Sequence, residues 1–286
     1  MIERKTKFGI IGLGLLGGSY AIALSQKGYD VTGVDIDENA CAAALEKGWA
    51  KKAGSDPELL SGCDFVISAL YPRTFVEWIR TNQQVLKPGC LLSDVTGVKR
   101  YIIEQLGAIL RPDVEFIACH PMAGREYRGI SYADPHRFKA ANFIVVPTRK
   151  NTEQAVSAAR QLGEILGFRR ITELDPDKHD EMIGYLSQLT HVIAVSLMNA
   201  NDHSDLAAYT GDSFRDLTRI AFINEDLWPQ LFVMNKDYLL AEIDAFVSEM
   251  QEFRSLIDKE DTESMRQKLI QSSQRQQAFK KNDENK

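Results

Sequence analysis

The sequence FGIIGLGLLGGSYAIALSQKGYDVTGVD, residues 8–35, decides how the first half of this 286-residue chain folds. The apolar, β-branched run at residues 8–11 has the composition of a buried strand, and it leads into the glycine-rich turn GLGLLG at residues 12–17. Small residues suited to a helix follow at 19–27, and the apolar segment 29–34 predicts a second strand. Strand, turn, helix and strand in this order predict a βαβ unit with parallel strands.

The three glycines of the turn have the spacing of a dinucleotide-binding motif. Gly12 permits a tight turn, Gly14 lets the backbone approach a pyrophosphate, and Gly17 lets the helix lie close to the strand. The N–H groups at the start of the helix, at Leu15 and Leu16, are then free to bind the phosphate charge. The motif therefore predicts dinucleotide binding, and the alternative is a plain βαβ turn in a sheet that binds another ligand.

The end of the second strand indicates which dinucleotide is bound. Asp35 stands there, and a carboxylate at this position accepts hydrogen bonds from the ribose hydroxyls of adenosine and repels a 2′-phosphate. The residues that follow, Ile36 and Asp37, supply no arginine for such a phosphate. The sequence therefore favours NAD over NADP as the cofactor.

Strands alternate with helices through about the first 120 residues, and two further strands flank a helix before residue 174. Further strands are predicted at residues 64–70, 90–95, 115–119, 142–147 and 168–174, and helices at residues 38–47, 73–86, 98–110 and 152–166. This alternation is typical of an α/β fold, a Rossmann-type doubly wound parallel sheet with right-handed crossovers. Ligands bind such sheets beyond the carboxyl ends of the strands. The residues expected to face this crevice are Asp35, Leu70, Tyr71, 94–97 and His120.

From Asp175 onward the pattern is helical. Asp175 and Pro176 suit a helix N-cap and first turn. Helices are predicted at residues 175–201, 213–222, 225–234, 236–257 and 262–277. The predicted domains are 1–174, a dinucleotide-binding Rossmann-type domain, and 175–286, a C-terminal all-helical substrate and dimerisation domain. Residues 185–198 are nearly all apolar, which favours a helix that a second subunit covers, so we expect a homodimer.

Composition limits the partners of the chain. It has 34 Lys and Arg against 40 Asp and Glu, a net charge of −6, which gives no reason to expect nucleic acid or an anionic membrane. No apolar run approaches the roughly 20 residues of a membrane-spanning helix. Four widely spaced cysteines, without a CxxC motif or a secretory leader, indicate reduced thiols in a cytoplasmic protein.

Histidines are the first candidates for acid–base chemistry. His120 ends a central strand and precedes a proline, so it is expected in the crevice as a general base, unless it only caps a loop carbonyl. His179 and His191 lie on one predicted helix about 18 Å apart, at 1.5 Å per residue. That separation excludes a shared metal ion, and no other group has metal-ligand spacing, so we predict no metal. His136 and His203 lie in polar contexts typical of the surface.

Arg219 and Asp216 share a face of the predicted helix at residues 213–222. They form either an ordinary intrahelical ion pair or an arginine that the aspartate orients to bind a substrate carboxylate through two hydrogen bonds. The sequence leaves both possibilities open.

Four short motifs resemble the prephenate and arogenate (cyclohexadienyl) dehydrogenase family of tyrosine biosynthesis. In chain order they are DVTGVK at 94–99, HPMAG at 120–124, HD at 179–180 leading to SQLTH at 187–191, and DLTRIA at 216–221 followed by Trp228. The resemblance implies a Rossmann-type domain, a helical dimerisation domain, and NAD-dependent oxidative decarboxylation of prephenate or arogenate by a homodimer.

The resemblance also implies roles for individual residues. His120 accepts the proton of the substrate hydroxyl while hydride passes to NAD, and Arg219, supported by Asp216, holds a substrate carboxylate. The other implied contacts are His191 on the substrate side, His179 at the mouth of the pocket, and Trp228 in the site of the neighbouring subunit.

This chain departs from the family pattern at two places. The family usually has Asp-x-x-Ser-Val-Lys, and the serine that orients the catalytic histidine is Gly97 here. Thr96, one position away, is then the candidate catalytic residue that supplies the missing hydroxyl. The second departure is the sequence Gln-Leu-Thr at residues 188–190, which begins at Gln188, where the family often has His-Leu-Pro.

Two alternatives to this function remain. A β-hydroxy acid dehydrogenase of similar plan predicts a catalytic lysine on the helix at residues 185–198, which contains none. A non-catalytic NAD-binding protein, which Gly97 suggests, predicts cofactor binding without turnover.

Overall fold

A computed structural model describes residues 1–202 and 204–284 of the chain. The chain divides into two compact units, Met1–Lys236 and Asp237–Lys286. The surface location expected for His203 lies outside the described residues.

The first unit contains an eight-stranded sheet within its described residues. Its strands are β1 (Lys7–Ile11), β2 (Asp30–Val34), β3 (Lys52–Gly54), β4 (Phe65–Ser68), β5 (Leu91–Asp94), β6 (Glu115–Pro121), β7 (Asn142–Val146) and β8 (Arg170–Glu173). The spatial order is β3-β2-β1-β4-β5-β6-β7-β8. Adjacent strands from β3 to β6 pair in parallel, β6 and β7 pair antiparallel, and β7 and β8 pair in parallel. The predicted α/β fold is confirmed, and the sheet is mostly parallel.

Helices pack on both faces of this sheet. They are α1 (Leu15–Gln26), α2 (Glu38–Glu46), α3 (Pro72–Asn82), α4 (Arg100–Ile109) and α5 (Glu153–Leu166). Alternate strand residues point to opposite faces. Phe65 and Ile67 of β4 therefore join the core beneath α1 and α5, and Val66 joins the core beneath α3 and α4.

The glycine turn explains how β1 and α1 pack so closely. Gly12 has a φ of +88°, a conformation that favours glycine. A Cβ atom at Gly17 would lie 1.7 Å from the carbonyl oxygen of Gly12, so only glycine fits there. The two predicted roles of these glycines, a tight turn and close helix packing, are thus seen in the backbone.

The antiparallel orientation of β7 was not predicted. Between β6 and β7 the chain forms only two 3₁₀ turns, Ile130–Tyr132 and Pro135–Ala140. Because no crossover helix carries the chain back along the sheet, β7 enters it in the opposite direction to β6. The sequence shows strand composition at residues 142–147 but nothing that fixes the direction.

The rest of the first unit is helical, as predicted, with different boundaries. It contains α6 (Pro176–Ile183), α7 (Thr190–Asn199), α8 (Leu206–Tyr209), α9 (Asp212–Thr218) and α10 (Trp228–Met234). A π-helical segment, Gly184–Leu189, joins α6 to α7 where one regular helix was expected. Such segments are rare and frequently occur at functional sites. The short elements β3 and α8 were missed.

The second unit is a helical hairpin. Helices α11 (Lys236–Asp258) and α12 (Thr262–Glu284) each have 23 residues. Lys268 of α12 pairs with Glu249 at 3.1 Å and Glu252 at 2.8 Å on α11, which holds the two helices together. Helix α12 is longer than predicted because the polar end continues as helix to Glu284. Across both units, the described helices include none whose length and apolar character would let it span a bilayer.

Candidate active site

A cavity of about 460 Å³ lies beyond the carboxyl ends of β5 and β6. Residues far apart in the sequence border it, among them Gly97, His120, Glu126, His191, Arg219 and Trp228. Leu16, in the first turn of α1, borders the same cavity. The fold therefore brings the imidazole of His120 and the guanidinium of Arg219 to one cavity beside the glycine turn.

Hydrogen bonds behind His120 determine which of its ring nitrogens carries the proton. The Asp180 carboxylate only accepts hydrogen bonds, so Nδ1 of His179, 2.7 Å from Asp180 Oδ1, is the donor. Nε2 of neutral His179 then accepts from Nδ1 of His120 across 2.9 Å. Nε2 of His120 is left unprotonated, with a free lone pair, as a general base requires.

Burial keeps both histidines neutral. It lowers the pKa of His120 well below its ordinary value, and positive charge on His179 or Lys99 would lower it further. Burial also lowers the pKa of His179, against the opposing effect of its hydrogen bond to Asp180. Both imidazoles are therefore in the neutral form at neutral pH, which agrees with the proton positions derived from the hydrogen bonds.

Asp180 is fixed by the start of α4. Its two carboxylate oxygens accept the backbone N–H groups of Lys99, at 2.8 Å, and Arg100, at 2.9 Å. His179 has no exposed surface and lies behind His120. The prediction that His179 forms the mouth of the pocket is therefore wrong, and its place is that of a residue that orients His120.

Thr96 does not supply a hydroxyl to His120. Its Oγ1 contacts the Asp94 carboxylate, the carbonyl oxygen of Val98 at 3.1 Å and Lys99 Nζ at 3.3 Å. Lys99 Nζ is fully buried and also donates to Asp94 Oδ2 at 2.7 Å. The prediction that Thr96 is catalytic is wrong because this buried ion pair holds its hydroxyl away from the cavity. Asp94, expected in the crevice, is likewise buried.

Gly97 leaves room beside the free nitrogen of His120. A Cβ atom at Gly97 would lie 3.9 Å from His120 Nε2 and 3.5 Å from Leu231 Cδ1, both ordinary contact distances. The backbone therefore accepts a serine here, and in this chain the Leu231 side chain packs against the glycine instead.

Arg219 is paired with a residue that sequence reasoning missed. Its Nη1 lies 3.1 Å from Oε1 of Glu126, in the loop after β6, and the arginine side chain is 62% exposed. Asp216 is exposed and does not contact Arg219. The prediction that Asp216 orients Arg219 is wrong, because Glu126 takes that place. An acidic residue soon after His120 was the available signal.

His191 and Trp228 form the other wall of the cavity. Their ring centroids are 3.8 Å apart, and both residues belong to the same chain. Trp228 thus borders the cavity of its own chain, and its predicted place in the site of a neighbouring subunit stays a prediction. His191 Nδ1 donates to the Ser187 carbonyl across 2.8 Å, so Nε2 is its free nitrogen. Burial lowers the pKa of His191 as well.

The π-helical segment places Gln188 inside the unit. Gln188 Nε2 donates to the Leu231 carbonyl at 3.0 Å, and its Oε1 accepts from Asn235 at 2.8 Å. Asn235 also donates to the Asp180 carbonyl at 2.9 Å. These bonds hold α10, and with it Leu231, over Gly97. Polar residues within the apolar run at 185–198 were the sequence signal for this network.

The glycine turn retains space for a phosphate group. A Cβ atom at Gly14 would meet no atom within 4 Å, and Gly14 provides no side-chain cap for the first N–H groups of α1, at Leu15 and Leu16. Asp35 directly follows β2, and its carboxylate accepts the N–H of Leu13 at 2.5 Å. Next to it, Ile36 is 93% exposed.

Leu70 and Tyr71 follow β4, close to this turn. A Cβ atom at Gly12 would lie 3.0 Å from Leu70 Cδ2, so Leu70 packs against the turn. The Tyr71 hydroxyl accepts a hydrogen bond from Asn224 Nδ2 at 2.6 Å.

Comparison with known proteins identifies the family. The family model of the prephenate dehydrogenase nucleotide-binding domain matches residues 20–172, and that of the prephenate dehydrogenase dimerization domain matches residues 175–271. Prephenate dehydrogenase of Bacillus subtilis (strain 168) is 27% identical over 93% of this chain and 74% of its own length. Cyclohexadienyl dehydrogenase of Zymomonas mobilis is 27% identical over 95% of both chains.

A solved structure shows the same fold. The crystal structure of prephenate dehydrogenase from A. aeolicus in complex with hydroxyphenyl propionate and NAD+ has a TM-score of 0.87 to this chain. The two are 25% identical, and the match covers 96% of this chain and 98% of that one. The chain belongs to the prephenate dehydrogenase family of oxidoreductases.

Proposed function

We propose that this protein oxidatively decarboxylates prephenate to 4-hydroxyphenylpyruvate with NAD as the hydride acceptor. The observation that carries the proposal is the shared cavity of His120, which has an unprotonated Nε2, and Arg219, which bears the positive charge for a carboxylate. Family membership supports the reaction class. The relatives include both prephenate and cyclohexadienyl dehydrogenases, so the substrate itself is our proposal.

The residues present fit NAD. Open space at Gly14 and the uncapped N–H groups of Leu15 and Leu16 suit the pyrophosphate. The carboxylate of Asp35 suits the adenosine ribose, and it disfavours NADP. Gly12, Gly17, Leu70 and Tyr71 shape or border the same turn. When bound, NAD accepts the hydride that leaves the carbon bearing the substrate hydroxyl.

His120 is the proposed general base of the reaction. Its Nε2 lone pair accepts the proton of the ring hydroxyl as that carbon is oxidised to a carbonyl. The positive charge that forms on His120 is stabilised through Nδ1 by His179 and Asp180. The bond to the ring carboxylate then breaks, its electron pair passes through the ring to the carbonyl oxygen, and carbon dioxide leaves. That oxygen takes the proton back from His120 Nε2, which gives the phenol and restores the neutral base. Formation of the aromatic ring makes this step effectively irreversible.

Arg219, His191 and Trp228 are proposed to bind the substrate. Arg219 is half of an ion pair with Glu126, and its other N–H groups remain to donate to a carboxylate. His191, packed at a tilt against Trp228, borders the cavity and keeps Nε2 free of the hydrogen bond that Nδ1 makes. Asp216 lies on the surface, and we give it no part in binding.

Arogenate is the second candidate substrate. It carries an amine where prephenate carries a keto group, so an acidic residue in the cavity favours it. Glu126 borders the cavity and its side chain is only 17% exposed. Its pairing with Arg219 leaves one carboxylate oxygen for an ammonium group.

A direct assay tests both substrates. The protein is incubated with NAD and each compound while the absorbance of reduced nicotinamide is followed, with NADP as the comparison cofactor. We expect turnover with prephenate and NAD. Turnover with arogenate alone would replace the first candidate by the second, and no turnover with either would leave the non-catalytic alternative.

We also propose a homodimer formed by the helical domain, with the domain boundary near Leu174. Apolar side chains of residues 185–198, which lie in the π-helical segment and α7, are exposed in the single chain, including Leu186 at 57% and Met198 at 39%. The match to a dimerization-domain model supports this assembly. Sedimentation equilibrium should give twice the monomer mass, and a monomer at micromolar concentration would reject it.

A further inference from the structure

A third arginine borders the active-site cavity, and neither the motifs nor the proposed reaction gives it a role. Arg137 lies on the 3₁₀ turn Pro135–Ala140 and borders the cavity with Leu16 and Met122. Its Nη1 is buried and has no hydrogen-bond partner. The carboxylate nearest to its guanidinium is that of Asp134, whose Oδ2 is 3.9 Å from Nε. The two groups form an ion pair without a hydrogen bond, and the arginine side chain as a whole is 20% exposed.

This arginine is held in place. The turn before it is tied to α1, because Ser19 Oγ accepts the backbone N–H of Asp134 at 2.9 Å. The next residue, Phe138, is 1% exposed and stacks on Phe168 with ring centroids 4.5 Å apart. The backbone of Arg137 is therefore held between an anchored turn and a buried aromatic residue, and its Nη1 is enclosed although the side chain as a whole is 20% exposed.

Apart from the long ion pair with Asp134, the charged groups of the cavity provide no partner for Nη1 of Arg137. Glu126 is paired with Arg219, and the cavity histidines are neutral by the hydrogen-bond and burial arguments above. Arg125 also borders the cavity but is exposed, so water can solvate it. A buried guanidinium N–H without a partner is unfavourable, and such groups are usually satisfied by a ligand or ion.

We propose that Arg137 binds an anionic oxygen inside the active-site cavity. The inference rests on the proposed function, which supplies two sources of such an oxygen: the pyrophosphate of the dinucleotide and a carboxylate of the substrate. A guanidinium suits both, because it donates two parallel hydrogen bonds to phosphate or carboxylate oxygens. Arg137 and Arg219 together would then provide two cationic contacts in a cavity that accepts highly anionic ligands.

The test compares Arg137→Gln with Arg137→Lys and with the matched control Arg275→Gln, an exposed arginine of α12 outside the cavity. The dissociation constant of NAD is measured by quenching of tryptophan fluorescence without substrate. Binding of prephenate is measured by calorimetry, and its KM by the absorbance assay. We expect Arg137→Gln to weaken one of these ligands about 10- to 100-fold, the range for one charge-assisted hydrogen bond. Arg137→Lys should recover part of the loss, and Arg275→Gln should change each constant less than twofold.

The two binding measurements separate the sources. Weaker NAD binding with unchanged prephenate binding assigns the pyrophosphate, and the reverse assigns a substrate carboxylate. Unchanged constants for both ligands overturn the proposal. Thermal unfolding of the ligand-free proteins tests for a structural role of Arg137. Removal of an N–H group without a hydrogen-bond partner should leave Tm equal or higher. A clear fall in Tm with unchanged binding also overturns the proposal. Since binding is measured without turnover, failure of the proposed reaction would be seen separately, in the wild-type assay.

Discussion

His179 offers the sharpest test of how the base is prepared, and we predict the effect of His179→Phe. Phenylalanine keeps an aromatic ring in the buried site but removes the acceptor for His120 Nδ1 and the donor to Asp180. Asp180 remains satisfied, because it still accepts the backbone N–H groups of Lys99 and Arg100. The substitution therefore mainly removes the hydrogen bond that orients His120.

The magnitude follows from the change in charge on His120 during the reaction. A hydrogen bond between neutral groups contributes about 1 kcal/mol and one to a charged group about 1.5–3 kcal/mol. The variant also loses the constraint that keeps Nε2 unprotonated. We expect kcat to fall about 10- to 100-fold, at about 1.4 kcal/mol per factor of ten. KM should change little, because His179 has no surface on the cavity.

Steady-state kinetics with prephenate and saturating NAD measure this split between kcat and KM. His179→Gln is the rescue variant, since its side-chain oxygen can accept from His120, and the exposed His136→Phe is the matched control. A folded His179→Phe protein with kcat within twofold of wild type would refute the orienting role. So would a raised KM at constant kcat, because that result would put His179 in contact with substrate.

Three further predictions concern the glycines and the pH dependence. Gly14→Ala should fold with an unchanged Tm but bind NAD more weakly in a fluorescence titration. Gly17→Ala should unfold or lose several degrees of Tm, because its methyl group would lie 1.7 Å from a carbonyl oxygen. Equal effects of the two substitutions would contradict the proposed phosphate site. Gly97→Ser should raise kcat about 2- to 10-fold, the worth of one added hydrogen bond near His120, with Gly97→Ala as the control without a hydroxyl; no difference between the two would count against it. The lowered pKa of His120 puts the acid limb of kcat/KM below the ordinary histidine value of about 6.5, with constant activity from there to neutral pH. The lowered pKa of His120 also makes the folded protein less stable as the pH falls from about 6.5 through the folded-state pKa, because the unfolded chain then binds more protons. A Tm that is constant over pH 4 to 7 would contradict this prediction.

Local chemistry made the nucleotide-binding half predictable from sequence. The spacing of Gly12, Gly14 and Gly17 depends on contacts within one βαβ unit, so the motif specified the turn, the close helix packing and the open phosphate site. The alternation of strands and helices specified the doubly wound sheet. The direction of β7 was not predictable, because it depends on a connection without a crossover helix rather than on strand composition.

Contacts between distant segments were predicted less well. His120 and Arg219 were expected in one cavity from the family motifs, and both border it. Their partners were wrong or absent in the prediction, since Glu126 replaces Asp216 as the partner of Arg219, and Thr96 faces a buried ion pair. Each of these choices depends on side-chain directions at the junction of several elements, and spacing along one helix or strand does not fix them.

The hydrogen-bonded series His120–His179–Asp180 was likewise predicted only in part. The adjacent residues 179 and 180 were noticed as a motif, but the helix pattern gave no sign that one would bond to His120 and the other to the backbone at the start of α4. The π-helical segment had no sequence signal apart from polar residues in an apolar run. Such features come from tertiary packing, which overrides the local helical pattern.

The most direct test of the central claim is the comparison of wild type with His120→Asn, with NAD affinity and prephenate turnover measured on the same preparations. General-base catalysis contributes about 10²- to 10⁴-fold, so the account predicts a loss of that size in kcat with an unchanged dissociation constant for NAD. A His120→Asn protein that turns over prephenate at the wild-type rate would contradict it, as would a wild-type protein that binds NAD and leaves prephenate unchanged.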